Sequence, residues 1–206
     1  MLEAITYSSM LENIRENKTE RDTIGILLSR PTSNAGRDII DALPYYHHRS
    51  GRSINFYLPG YGAYWYGAYP DEKDVAMING TQWSFSNLKY VEFIDALEKH
   101  SRWEYSGESE LLLIEYSNGK LDYSNVLRFH LDAMLEDKAI SSVNAFFEDI
   151  FRHAMKQRSL TQISDITGLK TLGQITIDCV LAELPGFFNG VIKRERHYLI
   201  NNYAKH

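Results

Sequence analysis

Arg30, Ser33 and Asn34 are the first residues of the sequence whose types and spacing could bind a ligand. They lie in the polar stretch 29–37, which follows an apolar run at residues 23–28 and precedes apolar residues at helical spacing. A strand, a polar loop and a helix in this order place backbone N–H groups and a helix dipole over an anion. Arg30 would pair with that anion, and Ser33 and Asn34 would supply hydrogen bonds. Ser33 or Asn34 is equally typical of an ordinary helix N-cap.

A second candidate is the stretch 59–70, in which glycines alternate with aromatic residues directly after an alternating run at residues 53–58. Its glycines permit positive φ and close backbone approach. Tyr61, Tyr64 and Trp65 could stack on a planar group of a ligand, or they could tuck under the loop and cover the end of a sheet.

Asp122 is the carboxylate best placed to join these two loops. Residues 110–116 contain an uninterrupted Leu-Leu-Leu-Ile run, which indicates a buried strand. If this strand lies parallel to the first two, the turn 117–122 reaches the same sheet edge as the loops 29–37 and 59–70. A helix N-cap explains Asp122 equally well.

Several other kinds of chemistry have no motif in the sequence. The 29–37 loop lacks the spacing of both the phosphate-binding and the dinucleotide-binding glycine motifs, and no serine lies in a nucleophile elbow. Adjacent His47 and His48 lack the i, i+3 or i, i+4 spacing of paired metal ligands, and Cys179 lies in an apolar context typical of a buried residue. The sequence therefore predicts no metal site and no cofactor.

Composition limits the partners and the compartment. The chain has 206 residues, 44% hydrophobic and 24% charged, with 14 tyrosines and a net charge of −5, so nucleic acid is an unfavoured partner. No apolar run approaches the roughly 20 residues of a membrane span, which argues against a membrane. A single cysteine fits a reducing compartment, and we expect a soluble cytoplasmic protein.

Hydrophobic periodicity predicts an α/β fold with a mixed, mainly parallel sheet flanked by helices and with a helical C-terminal third. The Asn79-Gly80 dipeptide between two β-like runs predicts a hairpin. Residues 124–135 fit a helix or a strand, and the length of the pattern favours a helix. Residues 172–184 are similarly ambiguous with a preference for helix, and a final amphipathic helix is expected over 191–203.

We expect residues 1–157 to form the α/β domain and residues 158–206 to form a helical extension packed on it. The leading hypothesis is a non-catalytic recognition domain that binds a small polar ligand, such as a nucleotide, or a protein partner at one sheet edge. One alternative is an enzyme that acts on a nucleotide-like substrate there with a carboxylate as general base. Another is a structural subunit of a larger assembly, and homo-oligomerisation is left open. The ligand-binding candidates are Arg30, Ser33, Asn34, Tyr61, Tyr64, Trp65 and Asp122.

Overall fold

The computed structural model describes residues 2–4, 6–17, 21–49, 54–117, 119–152 and 196–205. The strands are β1 (Leu2–Ala4), β2 (Arg21–Leu28), β3 (Asn55–Pro59), β4 (Tyr61–Ala63), β5 (Lys73–Ile78), β6 (Thr81–Phe85), β7 (Glu110–Ser117), β8 (Lys120–His130) and β9 (Tyr198–Asn201). The helices are α1 (Tyr7–Asn17), α2 (Asn34–Arg49), α3 (Asn87–His100), α4 (Leu131–Glu136) and α5 (residues 143–152).

Nine strands form two sheets in the described part of the chain. The larger sheet has the order β1-β3-β2-β7-β8-β9, and the smaller has the order β4-β6-β5. β3 pairs in parallel with both β1 and β2, so the loops that follow β2 and β3 leave the sheet at the same edge. The hairpin predicted at Asn79 and Gly80 is also confirmed, because β5 and β6 pair in antiparallel and both turn residues have positive φ.

The prediction of a mainly parallel sheet is wrong. β7 pairs in antiparallel with β2, and β8 and β9 continue the sheet in antiparallel. The helix favoured for residues 124–135 is wrong as well, because β8 extends to His130 and only α4 is helical. Residues 126–129 are buried, and β8 pairs with β7 at one edge and with β9 at the other. Strand pairing on both sides outweighs the helical spacing of the leucines.

The helical C-terminal third is also wrong. Tyr198–Asn201, expected within a final helix, form the edge strand β9 instead. The segment after β9 is tied down by two backbone bonds: the Arg102 amide donates to the Tyr203 carbonyl at 2.7 Å, and the Tyr203 amide donates to the Tyr123 carbonyl at 2.7 Å. The domain boundary after residue 157, the ambiguous segment 172–184 and Cys179 lie outside the described residues.

Helices cover both faces of the larger sheet. Phe56 and Tyr57 are neighbours on β3, so their side chains point to opposite faces. The Phe56 ring packs against Phe147 of α5 at 5.0 Å between centroids, whereas the Tyr57 hydroxyl donates to Asn13 of α1 at 2.8 Å. These two aromatic residues of β3 therefore join helices on both faces to the sheet.

Gly60 turns the chain from the larger sheet into the smaller one. Its φ is +78°, and a Cβ there would lie 2.7 Å from the Tyr90 Cβ, so any other residue would be both strained and crowded. The Ser86 amide donates to the Gly60 carbonyl at 2.9 Å, which fixes the start of α3 beside this turn. The inner face of the smaller sheet then packs on α2, where Trp83 meets His47 at 5.6 Å between ring centroids.

Candidate functional site

Arg30 lies directly after β2 and is held in position by three side chains. Its Nε donates to Asn87 Oδ1 at 3.1 Å, its Nη1 donates to the Tyr105 hydroxyl at 3.3 Å, and its Cζ lies 4.8 Å from the centroid of the Tyr90 ring. A guanidinium stacked on an aromatic face and anchored at two nitrogens loses little further freedom when it binds a ligand. The side chain is half-buried, so ligands can reach it.

The side chains that hold Arg30 are uncharged, although Asp71 and Asp74 line the same cavity. The Tyr90 hydroxyl donates to the Tyr105 hydroxyl at 2.7 Å, and burial raises the pKa of both phenols above the ordinary value. Both groups are therefore neutral at physiological pH. Within the described part of the chain, no carboxylate forms an ion pair with Arg30, so an anionic ligand would not have to displace one.

Arg30 opens onto a cavity of about 370 Å³ between the end of β2, the β5–β6 hairpin and the start of α3. A second cation, Lys73, lines this cavity and has no carboxylate partner among the described residues. An apolar wall is formed by Pro31, Val75 and Phe85. The lining residues are Arg30, Pro31, Thr32, Asp71, Lys73, Asp74, Val75, Phe85 and Asn87.

One carboxylate of this cavity is already engaged in capping a helix. Asp71 Oδ1 accepts from the Ser86 hydroxyl at 2.6 Å, and Asp71 Oδ2 accepts from the Leu88 amide at 2.7 Å, at the N-terminus of α3. The Ser86 hydrogen bond is the main cause that lowers the pKa of Asp71. Asp71 is therefore a fixed anion that stabilises α3, and it is poorly suited to accept a proton from a substrate.

Ser33 and Asn34 lie beside Arg30, but the N-terminus of α2 is already occupied. Asp132 of α4 accepts from the Ala35 amide at 2.9 Å through Oδ1 and from the Ser109 amide at 2.8 Å through Oδ2. The Gly36 amide donates to Ser33 Oγ at 2.9 Å. The anion expected over this helix terminus is thus the protein's own carboxylate.

Ser33 also belongs to a group of three serines, and Asn34 is used locally. Ser109 Oγ lies 2.7 Å from Ser33 Oγ and 2.8 Å from Ser29 Oγ, so the three hydroxyls bond one another. Asn34 Oδ1 accepts from Arg37 Nη2 at 2.6 Å on the exposed side of α2. Neither Ser33 nor Asn34 is a lining residue of the Arg30 cavity, and both have roles in holding the loop together.

The aromatic residues of the 59–70 stretch divide into buried and exposed groups. Tyr61 lies in β4, is fully buried, and donates from its hydroxyl to the Ser29 carbonyl at 3.1 Å. Trp65 is 8% exposed and packs edge-on against Tyr69 at 4.8 Å between centroids. A Cβ at Gly62 would lie 2.7 Å from the Trp65 ring, so the glycine permits this close packing. Tyr61 and Trp65 are therefore tucked into the fold, which is one of the two alternatives given for this stretch, and the other alternative, rings available to a ligand, applies to its exposed tyrosines.

Tyr64 and Tyr66 are the exposed pair, at 67% and 84%. Tyr66 was not among the residues predicted from the sequence, because its exposure depends on the burial of Trp65, which the sequence does not show. The pair borders a second cavity of about 280 Å³ on the outer face of the smaller sheet. Its lining residues are Tyr64, Trp65, Tyr66, Gly67, Glu72, Asp74, Gln82 and Ser84.

The structure does not bring Asp122 to this region. Arg21 pairs with Ser117, and Leu28 pairs with Glu110, so the turn that precedes Asp122 lies at the opposite end of β2 from Arg30. Asp122 Oδ1 accepts from the Ser124 amide at 2.9 Å within β8. The antiparallel direction of β7 is the reason for this separation.

No metal centre or membrane span is present in the part of the chain that the structure describes. No group of three or more histidine, cysteine, aspartate or glutamate residues there could hold a metal ion. None of the described helices is both long and apolar enough to cross a membrane.

Comparisons with protein-family models, with curated proteins and with solved structures found no match.

Proposed function

We propose that this protein is a non-catalytic recognition domain that binds a small polar ligand carrying an anionic group in the Arg30 cavity. The observation that carries this proposal is the guanidinium of Arg30, which is held in place without an ion pair among the described residues and lines a cavity of about 370 Å³. Cavities of this size suit small ligands, since ligand pockets run from roughly 300 to 1,000 Å³.

The lining indicates how such a ligand would be oriented. The anionic group would meet Arg30 and Lys73, and an apolar or planar portion would lie along Pro31, Val75 and Phe85. A phosphate monoester and a carboxylate both satisfy this arrangement, and a nucleotide is one member of the class. Asp71, which already accepts two hydrogen bonds, would repel a second anionic group on the α3 side.

Recognition is better supported than catalysis at this cavity. A general base needs a carboxylate whose pKa is raised towards neutrality, whereas the pKa of Asp71 is lowered. Asp122, the base that the sequence offered, lies at the other end of the sheet. A cytoplasmic location remains part of the proposal and rests on the single cysteine of the sequence.

The proposal is tested by nuclear magnetic resonance titration of the protein with inorganic phosphate, adenosine monophosphate and succinate. We expect at least one of these anions to shift the amide resonances of Thr32, Lys73 and Asn87 together, with saturation. Adenosine, which lacks the anionic group, is the matched control and should bind at least about 10-fold more weakly than its monophosphate. If none of the three anions shifts these resonances, the assignment of the Arg30 cavity is wrong.

A further inference from the structure

Two neighbouring tyrosine rings are held out of the fold on the outer face of the smaller sheet. Tyr64 and Tyr66 are 67% and 84% exposed, although the tryptophan between them is buried. Both tyrosines have positive φ, 61° and 51°, a conformation that L-residues rarely adopt. The backbone thus turns Trp65 inwards and both phenol rings outwards, at some conformational cost.

The two rings leave aromatic surface available to a ligand. Their centroids lie 6.3 Å apart with planes tilted by 52°, so the rings do not stack on each other. The Tyr64 hydroxyl lies 3.1 Å from Thr81 Oγ1, which limits the motion of that ring. The exposed faces of tyrosine rings are electron-rich and attract cations within about 6 Å of the centroid.

Two carboxylates complete the cavity of about 280 Å³ that these rings border. Glu72 Oε2 accepts from the Gly67 amide at 2.9 Å, and Asp74 Oδ1 accepts from the Ser84 hydroxyl at 3.0 Å, so both groups are held in place. No residue that lines this cavity is basic. Neither carboxylate forms an ion pair with any residue in the described ranges. The cavity is therefore negative, aromatic and without a counter-ion of its own.

We infer that this cavity is a second binding site, specific for an organic cation of the alkylammonium class. The ring faces of Tyr64 and Tyr66 would contact the charged head group, and Glu72 and Asp74 would neutralise it. Aromatic rings with nearby acids bind methylated ammonium groups better than a bare acidic surface does, because such groups cannot donate strong hydrogen bonds. The site is separate from the Arg30 cavity, with which it shares only Asp74.

Choline is the probe for this site, and 3,3-dimethylbutan-1-ol is its uncharged counterpart of the same shape. We expect choline to shift the resonances of Tyr64, Tyr66 and Gly67 with a saturable dependence, and the neutral alcohol to bind at least about 5-fold more weakly. Equal affinity of choline and the alcohol would overturn the inference, as would the absence of any saturable shift up to 100 mM choline, a limit of roughly −1.4 kcal/mol.

Matched variants separate the rings and the acids from general effects on the fold. Tyr66→Ala removes one ring from an exposed position, and Glu72→Gln removes a charge while retaining an acceptor for the Gly67 amide. We expect each to weaken choline binding by about 3-fold to 30-fold. Tyr45→Ala, which removes an exposed ring on α2, and Glu92→Gln, a charge change on α3, affect residues that do not line the cavity and should leave choline binding within about 2-fold. Full choline affinity in Tyr66→Ala and Glu72→Gln would contradict the site.

Two sources of the cation are distinguished in a final comparison. Capped trimethyllysine carries the same head group on a peptide unit. Affinity at least about 10-fold above that of choline would point to a lysine side chain of a protein partner as the occupant, whereas a smaller gain or none would point to a free small amine. Arg30 does not line the aromatic cavity, so Arg30→Gln should leave choline binding within about 2-fold, whatever its effect on anion binding.

Discussion

At the scale of single residues, the 59–70 stretch shows why residue type alone does not identify a binding group. Tyr61, Tyr64 and Trp65 were equally good stacking candidates in the sequence, yet Tyr61 and Trp65 are buried and only Tyr64 is exposed. The deciding factors are the positive φ values at Tyr64 and Tyr66 and the space above Gly62, which depend on the surrounding sheet. Arg30 could be identified from the sequence because it directly follows a predicted strand.

The contrast between Trp65 and Tyr66 yields a stability prediction. Trp65→Ala removes a buried indole from above Gly62 and should lower the free energy of unfolding by about 3–5 kcal/mol. Tyr66→Ala, at a position 84% exposed, should change it by less than about 0.5 kcal/mol. Urea unfolding followed by tryptophan fluorescence and circular dichroism measures both. Equal losses for the two variants would show that the burial assigned to this loop is incorrect.

At the scale of elements, side chains from distant segments complete the loops that sequence analysis identified. Asp132, which is 97 residues from Ala35, caps the N-terminus of α2, and Asp71 caps α3 from a turn 17 residues away. A strand, loop and helix could be predicted locally, but the partner of the helix N-terminus depends on how α4 packs. The position at the N-terminus of α2 that was predicted to bind an anion is therefore occupied by the Asp132 carboxylate.

A buried ion pair connects β7 to β8. Arg128 Nη2 lies 2.5 Å from Glu110 Oε1, and Glu110 also accepts from Trp103 Nε1 at 3.2 Å and from the Ser106 amide at 3.1 Å. The Glu110 side chain is fully buried and that of Arg128 is 9% exposed. A buried charge that loses its partner is strongly destabilising, because it is neither solvated nor neutralised.

Glu110→Gln leaves the Arg128 charge without its partner at nearly unchanged side-chain volume. We expect a loss of about 3–5 kcal/mol in the free energy of unfolding. Glu108→Gln, an exposed change in the same connection, is the control and should cost less than about 0.5 kcal/mol. Chemical denaturation at neutral pH measures both, and a loss below about 1 kcal/mol for Glu110→Gln would show that the pair is not needed for stability.

At the scale of the whole molecule, the direction of one strand decides which predicted residues meet. β2 and β3 are parallel and are connected through α2, and this brings the loop after β2 and the turn after β3 to one edge. β7 arrives in antiparallel, which moves Asp122 to the far edge. The sequence contains Asn118-Gly119 between β7 and β8, the same dipeptide that correctly predicted the β5–β6 hairpin. That signal could have predicted the β7–β8 hairpin and corrected the helix expected at 124–135.

The sheet order predicts a gradient of local stability. β2 and β7 lie at the centre of the larger sheet and are buried along most of their length, whereas β5 is an edge strand of the smaller sheet with exposed Lys73 and Asp74. Backbone amides of Ile26 and Leu112 should therefore exchange with solvent at least roughly 100-fold more slowly than those of β5. Amide hydrogen exchange followed by nuclear magnetic resonance measures this ratio. Uniform protection across both sheets would contradict the assigned order.

The central claim, that Arg30 receives an anionic ligand, is tested most directly by isothermal titration of Arg30→Gln against Arg37→Gln with the anion that binds the unchanged protein best. Both variants lose one positive charge from the stretch 29–37, but Arg37 lies in the first turn of α2, is exposed and contacts Asn34 outside the cavity. We predict that Arg30→Gln lowers affinity by about 10-fold to 100-fold, the range of a charge-assisted hydrogen bond, and that Arg37→Gln changes it by less than about 2-fold. Equal effects of the two variants, or full affinity in Arg30→Gln with the fold retained, would contradict the account.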